Sequence, residues 1–151
     1  MQITLTKIDR ENFDEVVKLD VHESQRSFVA PNVRSIAQSM VYEYFCPRAV
    51  YDGDTLVGFL MYGKDDESNG EVWLIRLMVD KNLQGRGYGK AATLKAVEEI
   101  RERFDPPEIF LSFEPENSLA KGLYEKLGFR DTGRVEYGEL VYRLDLKNNS
   151  N

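Results

Sequence analysis

A glycine-rich segment at residues 84–90 is the part of this sequence best suited to bind an anion. It reads Gln-Gly-Arg-Gly-Tyr-Gly-Lys and joins an apolar run to the start of a helical pattern. The first N–H groups of a helix have no partner within it, and the helix dipole attracts negative charge to that end. Glycines let the backbone approach a ligand closely, while Arg86 and Lys90 add positive charge. The segment therefore indicates a phosphate site. The local sequence leaves one alternative open, a tight strand-to-helix connection with solvated basic residues.

Two other phosphate-binding motifs fit this segment poorly. A Walker loop needs a Ser or Thr after Gly-Lys to bind magnesium, whereas Ala91 follows Lys90. A dinucleotide fingerprint spaces its glycines as G-x-G-x-x-G, whereas the spacing here is G-x-G-x-G. Glu114 does stand where a ribose ligand is expected, but the chain length and an antiparallel N-terminal half disfavour a dinucleotide fold.

One histidine and one cysteine limit the nucleophiles and metal ligands of the chain. Cys46 is predicted to be a buried apolar side chain, because no His-Asp pair accompanies it. His22 is a candidate base, although a single histidine at a helix end is more often a surface or capping group. No spacing of His, Cys and carboxylate residues resembles a ligand set, so no metal is predicted.

The N-terminal half predicts the elements that must precede the glycine-rich segment. Asn12 is expected to cap the first helix, and the turn Asp52-Gly53-Asp54 indicates a hairpin. The expected elements are a strand at 3–8, helices at 12–20 and 32–44, strands at 48–51 and 56–62, and a polar turn at 65–70. The apolar side chains expected on the first helix are Phe13, Val16, Val17 and Leu19.

The C-terminal half predicts a strand on each side of a long helix. Residues 72–79 are nearly all apolar, which is typical of a central strand, and Pro106 stops the helix that begins near residue 87. The expected buried stripe of that helix is Tyr88, Ala91, Leu94, Val97, Ile100 and Phe104. Then follow a strand at 109–113, a helix at 117–127 closed by Gly128, and a hairpin of 129–134 with 140–146. Strand, helix and strand in this order predict two parallel strands with a right-handed crossover, and therefore a mixed α/β sheet.

Length and composition predict one cytoplasmic domain. A chain of 151 residues suits a single domain, assigned to residues 1–146, with 147–151 as a flexible tail. A net charge of -6 disfavours a nucleic-acid partner, which needs clustered basic residues, and mildly favours cationic partners. No apolar run is long enough to cross a membrane, and the N-terminus lacks the pattern of a signal peptide. The single cysteine suits a reducing compartment.

Two motifs together resemble those of the GNAT superfamily of acetyltransferases. Gln84, Gly87 and Gly89 match its Gln/Arg-x-x-Gly-x-Gly/Ala signature, and residues 117–129 match its Asn-x-x-Ala-x-x-Leu-Tyr-x-x-x-Gly-Phe segment. The resemblance in the order of elements extends from residue 3 to 146. Within the superfamily, residues 72–76 and 22–25 are most similar to bacterial spermine/spermidine acetyltransferases.

The resemblance implies a mostly antiparallel sheet, flanked by helices, whose two parallel central strands splay apart around coenzyme A. Leu77, Met78 and Val79 would bind the pantetheine arm through their backbone, assisted by Asn117 and Ala120. N–H groups near Met78 would also stabilise an oxyanion. The residues expected at the pyrophosphate are Gln84, Gly85, Arg86, Gly87, Tyr88, Gly89 and Lys90.

The implied reaction is direct attack of a primary amine on acetyl-CoA, the co-substrate. The amine must lose a proton and the leaving thiolate must gain one. Tyr124 is the expected acid, because the resemblance places its hydroxyl near the sulfur. Glu114, Glu71 and His22 are candidate bases, and a water chain is the alternative.

The acceptor is expected between the N-terminal helices and the final hairpin. Polyamines such as spermine and spermidine are the first hypothesis, although Ile75 stands where those enzymes suggest an acidic residue. Another small amine, an aminoglycoside, a protein N-terminus and a non-catalytic coenzyme A-binding module are the alternatives. A homodimer is implied by the family alone. The expected acceptor residues are His22, Glu23, Phe28, Tyr42, Glu43 and Glu136.

Overall fold

The computed structural model describes residues 1–147, so the last four residues of the predicted tail lie outside the described part of the chain. The strands are β1 Ile3–Lys7, β2 Phe45–Asp52, β3 Thr55–Asp65, β4 Glu71–Val79, β5 Glu108–Phe113, β6 Arg130–Glu136 and β7 Glu139–Asp145. The helices are α1 Phe13–Lys18, α2 Asn32–Ser39, α3 Tyr88–Phe104 and α4 Ser118–Lys126, with 3-10 turns at Glu23–Gln25 and Asp66–Ser68.

The seven strands form one sheet in the order β1-β2-β3-β4-β5-β7-β6. Among the strands of residues 1–147, only β4 and β5 are parallel neighbours, which confirms the predicted mixed, mostly antiparallel sheet. These two strands pair at Val72 with Ile109 and at Trp73 with Phe110, and then diverge. On its other side, β4 carries one extra residue, Ile75, opposite the Met61–Tyr62 step of β3. Such a bulge bends a strand, and here it lies where β4 leaves β5.

Hydrophobic clusters cover both faces of the sheet. Consecutive residues of β3 alternate between them, since Leu60 joins the cluster under α3 whereas Phe59 and Met61 join the cluster under α1. Cys46 is buried, as predicted. The side chain of Met78 is held in the cluster under α1, so the strand that lines the opening between β4 and β5 is fixed from one face by packing.

The first two helices are shorter than the sequence pattern predicts. Asn12 does precede α1, but its side chain does not cap the helix, because it accepts from the Asp9 N–H at 2.9 Å and donates to the Lys7 carbonyl at 3.0 Å. Phe13, expected on the apolar face, is 38% exposed. The second helix ends at Ser39 instead of residue 44, because β2 pairing with β3 begins at Phe45. Long-range pairing here overrides the local preference for helix.

The long helix α3 has the predicted bounds, and its buried face overlaps the predicted stripe. Ile100 is fully buried, and Tyr88, Ala91, Val97 and Phe104 pack partly buried against the core, whereas Leu94 is 48% exposed. The further buried residues are Ala92, Thr93 and Ala96, whose small side chains at 92 and 96 allow the helix to pack closely on the sheet. Side-chain volume, which the helical period does not report, decides which face is buried.

Candidate active site

A cleft of about 720 Å³ opens where β4 and β5 diverge. Its walls are the outer half of β4, the end of β5, the first turns of α4, the glycine-rich segment and the connection between α1 and α2. Twelve of the residues predicted from the sequence line it: Phe28, Leu77, Met78, Val79, Gln84, Gly85, Gly87, Tyr88, Gly89, Asn117, Ala120 and Tyr124.

The glycine-rich segment enters α3 through two residues in the left-handed region. Gly85 has a φ of 80°, and Gly87, the N-cap residue, has a φ of 87°. The intrahelical hydrogen bonds begin with the Ala91 N–H donating to the Gly87 carbonyl at 3.1 Å, which leaves the N–H groups of residues 88–90 without helical partners. Free N–H groups at the positive end of a helix suit a pyrophosphate. Arg86 and Lys90 are exposed beside this site and do not line the cleft.

The Gln84 side chain forms its hydrogen bonds with other groups of the protein. Its amide nitrogen donates to the Val79 carbonyl at 3.0 Å, and the Gln84 and Gln25 amides exchange hydrogen bonds of 3.0 and 3.1 Å. The Gln25 side chain also accepts from the His22 N–H at 3.1 Å. Gln84 therefore fastens the connection after α1 to the end of β4, which fixes one wall of the cleft.

Tyr88 turns its hydroxyl away from the open helix end. The hydroxyl donates to Asp52 Oδ2 at 2.8 Å, and this hydrogen bond raises the pKa of Tyr88. The Gln2 backbone N–H and the Tyr88 hydroxyl lower the pKa of the Asp52 carboxyl. Tyr88 thus anchors the start of α3 to the β2–β3 turn, while its backbone remains at the cleft.

Tyr124 lies at the inner wall of the cleft with its ring fully packed. Phe113 stacks on it with ring centroids 6.1 Å apart, and Phe129 meets it edge-on at 5.6 Å. Burial raises the pKa of Tyr124 above its usual value. Within residues 1–147 no side chain or carbonyl accepts from its hydroxyl. The phenol is therefore neutral, and its role as a proton donor stays a prediction.

Asn117 begins α4 and faces the same wall. Its Oδ1 accepts from the Ala120 N–H at 3.2 Å, which makes it the N-cap of the helix. The cap uses the oxygen of the amide, so the Nδ2 group keeps its two donors. This geometry suits donation to an acceptor atom in the cleft, and that role stays a prediction.

The outer half of β4 is held rigidly beside the cleft. A Cβ at Gly58 would stand 2.3 Å from the Met78 carbonyl oxygen, so only glycine allows β3 to approach β4 so closely. On the α1 side, the buried Asn32 amide donates to the Val16 carbonyl at 2.9 Å and contacts the Met78 sulfur at 3.7 Å. Met78 is thus fixed by backbone contact on one side and packing on the other.

Several predicted carboxylates are engaged outside the cleft. Arg134 pairs with Glu71 at 2.9 Å and with Glu136 at 2.7 Å, and both partners raise its pKa. Glu114 is half-buried at the end of β5. The other predicted residues that do not line the cleft are His22, Glu23, Tyr42 and Glu43. Their functional roles stay predictions, as do those of Glu71, Glu114 and Glu136.

The cleft brings together four polar residues that sequence reasoning missed. Glu139 at the start of β7 accepts from the Ser112 hydroxyl at 2.7 Å, and Arg34 and Arg76 also line the cleft. These residues come from α2, β4, β5 and β7, and no local motif joins them. Glu136 ends β6 and Glu139 begins β7 on the other side of one turn, and the alternation of these strands in the sequence does not show which carboxylate faces the cleft.

A family model fits this architecture. The model described as the Acetyltransferase (GNAT) family matches residues 6–129, which is most of the chain. The chain belongs to this family. GNAT enzymes take the acetyl group from acetyl-CoA, and the open α3 N-terminus, the two left-handed glycines and the splayed strands fit such a molecule. The chain is accordingly an acetyl-CoA-dependent N-acetyltransferase.

Two curated relatives of this GNAT chain match over its whole length. It is 31% identical to the probable spermine N(1)-acetyltransferase of Bacillus subtilis subsp. natto and 30% identical to the spermine/spermidine N(1)-acetyltransferase of Bacillus subtilis strain 168, in each case over 97% of this chain and 100% of the relative. Among solved structures, the spermidine N-acetyltransferase of Vibrio cholerae in complex with CoA and spermine has the same fold, with a TM-score of 0.75 at 18% identity over 94% of this chain and 93% of that one.

The helices and the potential metal ligands of the GNAT chain bear on membranes and metals. None of the helices in residues 1–147 is long and apolar enough to cross a membrane. In the same part of the chain, no group of three or more His, Cys, Asp or Glu residues is placed to hold a metal ion.

Proposed function

We propose that this acetyltransferase acts on a primary amine of a small acceptor, with the polyamines spermine and spermidine as the candidates that its relatives indicate. The observation that carries the proposal is the continuous cleft. Its glycine-rich end suits the pyrophosphate of the co-substrate, and Tyr124 lies on its inner wall. Glu139 lines the part of the cleft formed with Ser112, Arg34 and Arg76, which is named the acceptor half. The near full-length match to two polyamine acetyltransferases supports the polyamine candidates.

Acetyl-CoA supplies the thioester, and the chain supplies charge stabilisation and proton transfer. Backbone N–H groups beside Met78 stabilise negative charge on the carbonyl oxygen during attack. The amine nitrogen forms a bond to the acetyl carbon as the carbon–sulfur bond breaks, and Tyr124 donates its proton to the leaving sulfur. Glu139, oriented by the Ser112 hydroxyl, accepts the proton that the amine loses.

The direct test is thiol release from acetyl-CoA by the purified protein. Acceptors are spermine, spermidine, putrescine, an aminoglycoside and a peptide with a free N-terminus. Saturable release with spermine or spermidine supports the polyamine proposal, whereas release with the peptide or the aminoglycoside alone contradicts it. Measurable acetyl-CoA binding without release from any amine would favour a non-catalytic coenzyme A-binding module.

Two carboxylates of the final hairpin provide a matched test of the base. Glu139 lines the cleft, whereas Glu136 pairs with Arg134 at 2.7 Å outside it. Glu139→Gln is expected to lower kcat by about 10²-fold or more, the usual range for a lost general base. A larger loss in Glu136→Gln than in Glu139→Gln would transfer the role of the base to Glu136, which the sequence analysis expected only to bind the acceptor.

A homodimer and a cytoplasmic location remain proposals. The family resemblance is the support for the dimer, and the single, buried cysteine is compatible with a reducing compartment. Sedimentation equilibrium tests the first proposal, since a particle of 17.4 kDa would be a monomer. Fractionation of cells that express the tagged protein tests the second.

A further inference from the structure

The charged side chains that line the cleft are more positive than negative. They are Arg26, Arg34 and Arg76, with Glu139 as the carboxylate among the lining residues that the structure describes. Arg26 is neutralised by Asp20 at 2.8 Å. In residues 1–147, neither Arg34 nor Arg76 forms an ion pair with a carboxylate. Two unpaired guanidinium groups are the opposite of what a purely cationic acceptor would require.

Arg76 has one edge of its guanidinium without a partner. Its Nη1 donates to the Ile75 carbonyl at 3.0 Å, but its Nε is buried and has no acceptor within the described chain. Nε and Nη2 lie on the edge of the planar group that Nη1 does not use, and two such parallel donors match a carboxylate. Nε is covered in this structure, so a carboxylate that meets Nη2 must displace that cover to reach it. Because a buried donor without an acceptor is costly, the contact would remove an existing penalty.

The surroundings of Arg76 point to a ligand instead of a missing protein partner. Burial lowers the pKa of Arg76; the negative charge of Glu139 raises this pKa, and the positive charge of Arg34 lowers it further. Both charged groups therefore lie close to the Arg76 guanidinium. Arg34 is exposed on α2, at the outer edge of the cleft. Ile75, the bulged residue next to Arg76, provides no carboxylate. The positive charge of Arg76 and Arg34 is therefore available to a ligand in the cleft.

This positive charge is separate from the site expected for the pyrophosphate. Arg76 precedes Met78 on β4, whereas the glycine-rich segment follows the end of that strand at Val79. The two sites thus lie on either side of Met78 along the strand. An anion at Arg76 would belong to the acceptor and would share the acceptor half of the cleft with Glu139.

We propose that Arg76, with Arg34 at the outer edge, forms an anion subsite, and that the acceptor is a primary amine that also carries a carboxylate. The ammonium group is directed to Glu139 and the carboxylate to the free edge of Arg76. This inference rests on the proposed acetyl transfer to a primary amine of a small acceptor and, within it, favours a zwitterionic amine over the polyamine candidates. A polyamine would occupy only the Glu139 side of the site.

The test uses pairs of amines that differ in one carboxylate. Lysine is compared with 1,5-diaminopentane, and 4-aminobutyrate with butylamine, in the thiol-release assay with saturating acetyl-CoA. The wild-type protein is expected to favour the carboxylate-bearing member of at least one pair by about tenfold or more in kcat/KM, which is the effect of one charge-assisted bidentate contact. A preference for the carboxylate-free member in both pairs overturns the inference.

Three variants locate the preference on Arg76. Arg76→Gln is expected to abolish the ratio between the paired amines, and Arg76→Lys to restore part of it, because a point charge remains without the planar edge. Arg143→Gln is the control, since Arg143 is half-exposed on β7 beside Glu108 and outside the cleft. An unchanged ratio in Arg76→Gln overturns the inference. Thermal unfolding of each variant shows whether it is folded, and the wild-type ratio decides the question even if one is not.

Failure of the inference and failure of the proposed function give different results. If polyamines or other carboxylate-free amines are acetylated efficiently and their carboxylated partners are not, the proposed function stands and the anion subsite is wrong. If no amine releases thiol although acetyl-CoA binds, the proposed function fails and the inference fails with it.

Discussion

Tyr124 combines two properties that a proton donor to a leaving thiolate needs. Its ring is fixed between Phe113 and Phe129, the residue lines the cleft, and its hydroxyl has no acceptor in the described chain. Burial raises the pKa of the hydroxyl, so it carries its proton under all ordinary conditions. The ring of this side chain therefore has a structural role in packing, whereas the hydroxyl is its chemical part.

Tyr124→Phe tests the chemical part alone. The ring contacts remain, so the fold and acetyl-CoA binding are expected to be retained, while kcat falls by about 10²-fold through loss of the acid. Steady-state kinetics with a proven acceptor measure the change. Tyr142→Phe is the control, because the Tyr142 hydroxyl is bonded to Glu125 at 3.3 Å and lies outside the cleft. Equal activity of both variants and the wild type, with chemistry rate-limiting, would remove Tyr124 from the mechanism.

The raised pKa of Tyr124 also predicts how activity and stability respond to alkaline pH. The folded protein holds this proton at a pH where an unfolded tyrosine, with a pKa of about 10, has lost it. No fall in kcat from loss of the Tyr124 proton is therefore expected between pH 8 and about 10. The free energy of unfolding should decline as pH rises above about 10, because the unfolded state then binds fewer protons. A pH–kcat profile and urea titrations at several pH values check both parts, and a Tyr124-dependent fall in kcat near pH 8 would contradict the prediction.

At the scale of elements, the junction of β4 with α3 is specified by backbone conformation. Gly85 has a φ of 80°, and nothing lies within 4 Å of the position that its Cβ would take. Gly133, in the β6–β7 hairpin, has a φ of 82° and is equally open. Any other residue would be strained to the same extent at the two positions, but of the two only Gly85 lines the cleft. Comparing substitutions at the two glycines therefore distinguishes the effect of a left-handed backbone from the effect of a binding surface.

Gly85→Ala and Gly133→Ala are expected to lose similar stability and different affinity. Each places a Cβ in the left-handed region, at a cost of roughly 1–2 kcal/mol. Gly85→Ala should also weaken coenzyme A binding by about tenfold, because the backbone N–H groups of the segment are displaced from the ligand. Urea unfolding and calorimetric titration with coenzyme A measure the two effects. Equal coenzyme A affinity in both variants would show that this segment does not hold the cofactor.

At the scale of the whole molecule, a buried polar network fastens α3 to the sheet. Arg48 on β2 is 6% exposed and pairs through Nε with Glu99 Oε2 at 2.8 Å, and the Tyr62 hydroxyl donates to the same oxygen. Burial and the bond to Glu99 raise the pKa of Tyr62. Since α3 also begins at the glycine-rich segment, this network holds the helix that supplies the anion site.

Glu99→Gln is expected to destabilise the whole domain. Arg48 would keep a buried charge without a countercharge, which costs roughly 2 kcal/mol here, below the range for a fully buried pair because the Glu99 side chain is 27% exposed. Glu98→Gln, which removes an exposed pair with Lys95 at 3.5 Å, should change the free energy of unfolding by less than about 0.5 kcal/mol. Urea unfolding of both variants gives the comparison. Equal stability of the two would mean that Arg48 is hydrated in the native state.

The sequence by itself determined the order of the elements and the place of the glycine-rich segment at the start of α3. The bounds of α3, and those of α4 to within one residue, follow from periodicity and helix-end signals, which are properties of neighbouring residues. The end of α2 was missed, because pairing of Phe45 with Gly63, eighteen residues away in the chain, overrides the local pattern. The local preference of residues 40–44 for helix does not show that strand pairing competes with it.

Only the tertiary structure decided which charges face the acceptor. Glu139 and Glu136 flank the same turn, yet one lines the cleft and the other pairs with Arg134. The bulge at Ile75 shifts the alternation of β4, and Arg76 then meets Arg34 and Glu139 from distant parts of the chain. A one-residue shift exchanges the two faces of a strand, so the identity of the acceptor residues depends on strand register and long-range packing.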